Sequence, residues 1–190
     1  MCEWTFWYVY TMSHREKLKY GKRGRFNEYI LKEVFQFGTL EDFWRMFNNL
    51  YLVNEIIPNT DYLMFRTGVR PEWEDPRNKK GGKWVVTLPI EEDMEDECQQ
   101  AWTHLLLSMI GSQFPEDCMD LINGAIFSIR EKHWRISLWC KDNNNIPRLK
   151  RIGVHFKELC GLPPKFTFGY QVHEKALIHQ LDNEAFIKID

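Results

Sequence analysis

Short aromatic and β-branched runs outnumber helical stretches in this chain, and the joints between them are short. Residues 4–10, 29–37, 61–66, 83–88, 122–130, 134–139 and 166–172 each read as a strand, and 186–189 adds a last apolar run. Strands joined by short connections pair antiparallel, because a parallel pair needs a long crossover. Within 29–37, Leu31, Val34 and Phe37 are expected to point inward, with some irregularity in the strand. Three helical segments interrupt the strands. Thr39 stands as N-cap before Leu40-Glu41-Asp42, with an acid three residues on, and Phe43, Trp44, Phe47 and Leu50 follow at helical spacing. An acidic run then introduces a helix over 94–112, with Trp102, Leu105, Leu106, Met109 and Ile110 along one face and acids suited to the helix dipole in its first turn. Asn145-Ile146-Pro147 opens the third, carrying Leu149, Ile152, Phe156 and Leu159 in line; Gly161 closes it and Pro163-Pro164 forbids continuation. A shorter helix candidate precedes the last run. Three helices with one apolar stripe each cover one face of a sheet and leave the other open as a concave site. The expected class is α+β.

The 190 residues suit one domain, 1–190, with room for a sizeable core. The net charge is only −2, which removes any bulk polycation argument for nucleic acid. Charge is nevertheless segregated. The segment 15–25 holds six basic residues (Arg15, Lys17, Lys19, Lys22, Arg23 and Arg25) against Glu16, and reads as a mobile loop; 91–97 holds six acids and no base. Eight Trp, seven Tyr and thirteen Phe exceed what a core of this size needs, so some belong to surface recognition. Five widely spaced cysteines with no C-x-x-C spacing indicate reduced thiols in a cytosolic or nuclear compartment. No apolar run approaches the ~20 residues of a membrane span. The start Met1-Cys2-Glu3-Trp4 does not read as a signal peptide, and a tail before the first strand is expected to be missing or trimmed.

Chemistry concentrates in the stretch from Pro71 to Trp84, which sets Trp73 beside Glu74 in a Pro- and Gly-rich loop followed by Arg77, Lys79, Lys80, Gly81, Gly82 and Lys83. A Trp in such a loop is poorly placed for the core. A flat aromatic face beside a carboxylate can hold a cationic purine: the ring stacks, with Trp the best cation–π partner, and the carboxylate accepts from the base edge. Stacking on each aromatic is worth ~1–3 kcal/mol per base. Arg130, Lys132 and Arg135 lie along a strand pair and suit a phosphate chain, and Trp139 follows four residues on. The lysines after the loop are read as facing the same phosphates. Gly81-Gly82 alone is weak evidence for phosphate binding.

With these residues the chain resembles the cap-binding translation initiation factors of the 4E type over nearly all of its length. The matching blocks run in order: Trp4-Thr5-Phe6-Trp7; Thr39-Leu40-Glu41-Asp42-Phe43-Trp44; Trp73-Glu74-Asp75 with Asn78-Lys79-Lys80-Gly81-Gly82-Lys83-Trp84; 106–111; the Arg130 strand; and Gly161-Leu162-Pro163-Pro164-Lys165. The resemblance implies a curved eight-stranded antiparallel sheet with three helices on its convex face. It implies a monomer that binds the 7-methylguanosine 5′ cap of mRNA on the concave face and recruits it for translation initiation.

In that scheme Trp73 is one slice of an aromatic sandwich, Glu74 reads the guanine edge, Trp139 packs on the methyl group, and Arg130, Lys132, Arg135 and Lys83 meet the phosphates. The family's second Trp precedes the helical Trp44 by about 17 residues; an ungapped count lands on Asn27, so Phe26 is the first candidate, with Tyr29 and Tyr20 as alternatives. On the convex face, Leu40, Glu41, Trp44, Leu107 and Gly111 match positions that receive a helical Tyr-x-x-x-x-Leu-Φ peptide from a scaffold or repressor protein. Thr103-His104 stands where the family has an acid after Trp102, and the segment that receives the partner's Tyr would lie before Trp4. After Phe168 there is no Ser or Thr, so the family's C-terminal phosphorylation site has no counterpart in this stretch.

Two other functions would use parts of the same pattern. A cap-binding translational repressor would share the cap site and lack productive scaffold contact. A cap-processing hydrolase would need metal, but the acids of 91–97 radiate from consecutive helical positions instead of converging. The His and Cys spacings match no metal motif, and no nucleophile–base motif is present. No catalytic residue, metal or cofactor is expected.

Overall fold

The computed structural model describes residues 2–11, 29–53, 55–173 and 187–189. The basic segment 15–25, Phe26, Tyr20 and the helix candidate before 187 lie outside them. Among the described residues, eight strands form one antiparallel sheet: β1 (Trp4–Thr11), β2 (Tyr29–Phe37), β3 (Thr60–Arg66), β4 (Gly82–Pro89), β5 (Ile122–Ile129), β6 (His133–Cys140), β7 (Phe168–Val172) and β8 (Ile187–Ile189). Their order across the sheet is β2-β1-β3-β5-β6-β4-β7-β8. Three helices, α1 (Leu40–Phe47), α2 (Glu95–Ile110) and α3 (Ile146–Cys160), pack on one face.

Local chemistry explains the helix ends. The Thr39 hydroxyl accepts from the Asp42 amide at 3.1 Å, and the Asn145 side chain accepts from the Arg148 amide at 3.1 Å. Gly161 closes α3 at φ 61°, the left-handed conformation that glycine adopts without strain. The ends of α2 and of β7 fall one or two residues inside the expected spans, and α1 stops at Phe47, with Leu50 still packed on the core beyond it.

Alternation along the strands divides the side chains. Trp4, Phe6, Tyr62, Met64, Trp84, Phe127, Leu138 and Tyr170 face the helices and meet Phe43, Trp102, Leu105, Leu149 and Phe156 in the main core. Trp84 also donates its indole N–H to the Leu149 carbonyl of α3 at 3.1 Å. On the opposite face, Leu63, Phe65, Val69 and Trp139 form a second apolar cluster, with Trp7, Val9, Leu31 and Ile126 against it.

The expected inward set of β2 is corrected. Phe6 pairs with Phe35 but Trp7 pairs with Glu33, which leaves Val34 as the extra residue of a bulge. The inserted residue swaps the faces: Phe37 is in the helix-side core, Leu31 belongs to the concave cluster, and Val34 is exposed. The irregularity foreseen in this strand is that bulge.

The paired glycines also have a packing reason. A Cβ at Gly81 would lie 1.8 Å from the Cys140 carbonyl oxygen, and one at Gly82 would lie 2.4 Å from that of Gln171. They let β4 enter between its two neighbours. All five cysteines are free, and four (Cys98, Cys118, Cys140 and Cys160) are buried; burial pushes the Cys98 thiol up to about 12.

Candidate cap-binding cleft

The loop between β3 and β4 is held by buried polar groups. Asn78 is fully buried and donates to the carbonyls of Arg70 (2.8 Å) and Glu72 (2.9 Å). Its own carbonyl accepts from Asn123 at the start of β5, at 2.9 Å, and Asn123 also donates to the Arg77 carbonyl at 2.8 Å. The Asp75 carboxylate accepts from the amides of Arg70 and Arg77 at 2.9 and 2.8 Å. With these bonds made inside, Trp73, 40% exposed, and Glu74 are left facing out.

Trp73 and Glu74 line a cleft of about 340 Å³ on the concave face, together with Tyr29, Leu31, Asp61, Leu63, Ile126, Arg130 and Trp139. Tyr29 is 46% exposed. Partial burial, with the carboxylates of Glu72 and Glu74 nearby, raises its phenol pKa. Of the three candidates for the second aromatic, Tyr29 is the one among the described residues, and it is in the cleft.

Trp139 forms an inner wall. It is 7% exposed, meets Phe65 edge-on at 5.4 Å between ring centroids, and lies 4.2 Å from the His173 ring. Lys83 places its Nζ 6.0 Å from the centre of the indole. Burial, together with Arg135 and Arg130, pulls the Lys83 pKa down to about 8, while Asp61 opposes the shift. Burial and Arg130 lower the Arg135 pKa as well, and its guanidinium lies 3.4 Å from the His133 ring. Arg130, just past the end of β5, pairs with Asp61 at 2.8 Å.

The basic residues expected at the phosphates thus divide. Arg130 lines the cleft, Arg135 and Lys83 stand near it on the concave face, and Lys132 is exposed in the β5–β6 connection. Arg77 and Lys80 line a separate open groove with Asp120 and Lys141, whereas Lys83 is the lysine after the loop that stands beside Trp139. Missed at the sequence level were Asp61, a lone acid in a strand; His173; and the aliphatic floor of Leu31, Leu63 and Ile126. For Leu31, period-two alternation gives the concave side only once the bulge in β2 is known. Among the described residues no three His, Cys, Asp or Glu side chains converge as a metal site.

The convex face carries the other predicted set. Leu40, 47% exposed, and Glu41 open α1; Trp44 is partly buried, edge-on to Phe47, and packs on the rim of the main core with Leu107. Gly111 is exposed at the C-cap of α2, its amide donating to the Leu107 carbonyl at 2.8 Å.

Residues 1–186 match the family model of eukaryotic initiation factor 4E. The chain belongs to the eukaryotic initiation factor 4E family. It is 38% identical to the human eukaryotic translation initiation factor 4E over 143 residues, 75% of this chain and 65% of the human protein, and so spans under two thirds of that relative's length. Among solved structures it resembles C. elegans eIF4E-3 in complex with the 4E-binding protein Mextli, with a TM-score of 0.84 and 27% identity over 100% of this chain and 97% of that one. It also resembles Ascaris suum eIF4E-3 in complex with the m7G cap, with a TM-score of 0.81 and 29% identity, covering 100% and 96%. The open antiparallel sheet backed by three helices is the fold of this family, as the sequence led one to expect.

Proposed function

We propose that the chain binds the 7-methylguanosine 5′ cap of mRNA in the concave cleft and brings the mRNA to translation initiation, acting as a binding protein and not as an enzyme. The observation that carries this reading is the convergence of Trp73, Tyr29, Glu74, Trp139 and Arg130 on one cavity. The methylated base enters between Trp73 and Tyr29. Glu74 accepts from its N1–H and exocyclic amine, Trp139 walls the methyl group, and the phosphates run toward Arg130, Arg135 and Lys83. On the convex face, exposed Leu40 and half-buried Trp44 and Leu107 take an apolar helix from a partner protein, in line with the 4E-binding protein carried by the C. elegans relative.

The direct test is titration of 7-methylguanosine triphosphate against unmethylated GTP. Only the methylated ring is cationic, so two cation–π faces at ~0.5–2 kcal/mol each give a preference of about fivefold or more. Equal affinities rule the sandwich out. Replacing Tyr29 by Ala removes one stacking face, worth ~1–3 kcal/mol, and is expected to weaken the methylated ligand about five- to hundredfold; unchanged affinity takes Tyr29 out of the site.

The lowered pKa of Lys83 adds a pH signature. Phosphates beside it favour its charged form, so the complex binds more protons than the free protein once the pH exceeds about 8. Affinity for the triphosphate therefore falls as pH rises from 7.5 to 9.5, by at most about tenfold per pH unit from this one group. The base itself also titrates, so the comparison is with Lys83→Arg, whose profile over this range is flatter. Parallel profiles for the two proteins exclude Lys83 from the phosphate site.

A further inference from the structure

Asp61 lines the cleft and has no part in the scheme so far. It lies in β3, opposite Val9 of β1 and Ser128 of β5, with its side chain 17% exposed. Its carboxylate takes one edge of the Arg130 guanidinium: Oδ1 accepts from Nη1 at 2.8 Å and Oδ2 from Nη2 at 3.3 Å. Nη1 also donates to the Ile129 carbonyl at 2.9 Å and the Thr60 carbonyl at 3.3 Å. Its two hydrogens are therefore fully engaged. The Nε–H and the second Nη2 hydrogen remain, parallel on the side edge of the fork, with no acceptor among the described residues. That edge has the geometry for two bonds to one phosphate, which a lysine cannot make.

We propose that Asp61 is a positioning residue for the phosphate chain: by holding the end of the Arg130 fork it turns the free Nε/Nη2 edge to the ligand. This rests on the cap-binding reading above. The proposal makes a prediction opposite in sign to plain electrostatics. A carboxylate this close to a phosphate repels it, so removing its charge should strengthen phosphate binding if charge were all that mattered. If positioning dominates, removal weakens it.

The experiment measures, for each protein, the gain in affinity from 7-methylguanosine to its 5′-triphosphate, with melting temperature as a control for folding. In wild type, failure to prefer the methylated triphosphate over GTP defeats the cap reading itself, and this inference with it. Given that preference, Asp61→Asn is expected to bind the nucleoside within about twofold of wild type while its phosphate gain shrinks about tenfold or more. Asp61→Glu, which keeps the charge and moves the carboxylate by one methylene, is expected to shrink the gain as well, and it serves alone should the Asn variant fold poorly. In an Arg130→Lys background, where no fork remains to be oriented, Asp61→Asn is expected to cause no further loss. A gain that is unchanged or larger in the Asp61 variants, or an equal loss for nucleoside and triphosphate, overturns the proposal.

Discussion

Replacing Glu74 by Gln is expected to weaken 7-methylguanosine triphosphate binding by about a hundredfold or more. The carboxylate would accept two hydrogen bonds from the base edge, each charge-assisted and each worth ~1.5–3 kcal/mol. A glutamine keeps one acceptor and turns an amide donor toward the other base donor, so one bond is lost and one donor pair is set in conflict. The loop is held by Asn78 and Asp75, and Glu74 takes no part in its hydrogen bonds, so the fold and the melting temperature should be unchanged. Fluorescence titration, with the cleft tryptophans as reporters, measures the loss; one smaller than tenfold would show that Glu74 does not read the base.

The largest effect on stability is expected at Gly81. A methyl group there would sit 1.8 Å from the Cys140 carbonyl oxygen and within 3 Å of two further backbone carbons. These are main-chain atoms of β6 and the residue after it, and they cannot rotate aside as a flexible side chain would. The Gly81 carbonyl is also engaged, accepting from the His173 amide at 3.1 Å and the Asn143 side chain at 2.9 Å. Gly81→Ala must therefore push β4 off its neighbour, at a cost of about 3 kcal/mol or more. For a chain of this size that lowers the melting temperature by roughly 6–12 °C. A fall of less than 2 °C in differential scanning calorimetry would mean that the strand accommodates the methyl group freely.

Features set by neighbours in sequence were legible, and features set by distant segments were not. Thr39, Asn145 and Gly161 act within one helical turn, so the ends they mark could be read directly. The class of fold followed from strand spacing and from three apolar stripes. Trp73 and Glu74 stood out because a Trp in a Pro- and Gly-rich loop has nowhere to bury itself. Tyr29 stood only as an alternative for the second aromatic, because its face depends on a bulge. Without Val34 as an extra residue, Tyr29 would share a face with Phe37 and point at the helices; with it, Tyr29 and Leu31 turn to the concave side. Counting back from Trp44 could not register that change. Gly81-Gly82 suggested a phosphate loop only faintly, and their reason lies in Cys140 and Gln171, some sixty and ninety residues away along the chain. Asp61 was unreadable for the same cause, since its meaning comes from Arg130 two strands later.

The loop bearing Trp73 and Glu74 is fastened through Asn78 to Asn123 at the start of β5, and Arg130 follows directly on the end of that strand. In the proposed cap complex one strand therefore carries both the grip on the base and the grip on the phosphates. Such a strand works as a calliper. It does not test two chemical groups independently but measures the distance between them, so a ligand bearing both groups at the wrong separation would satisfy one jaw and miss the other.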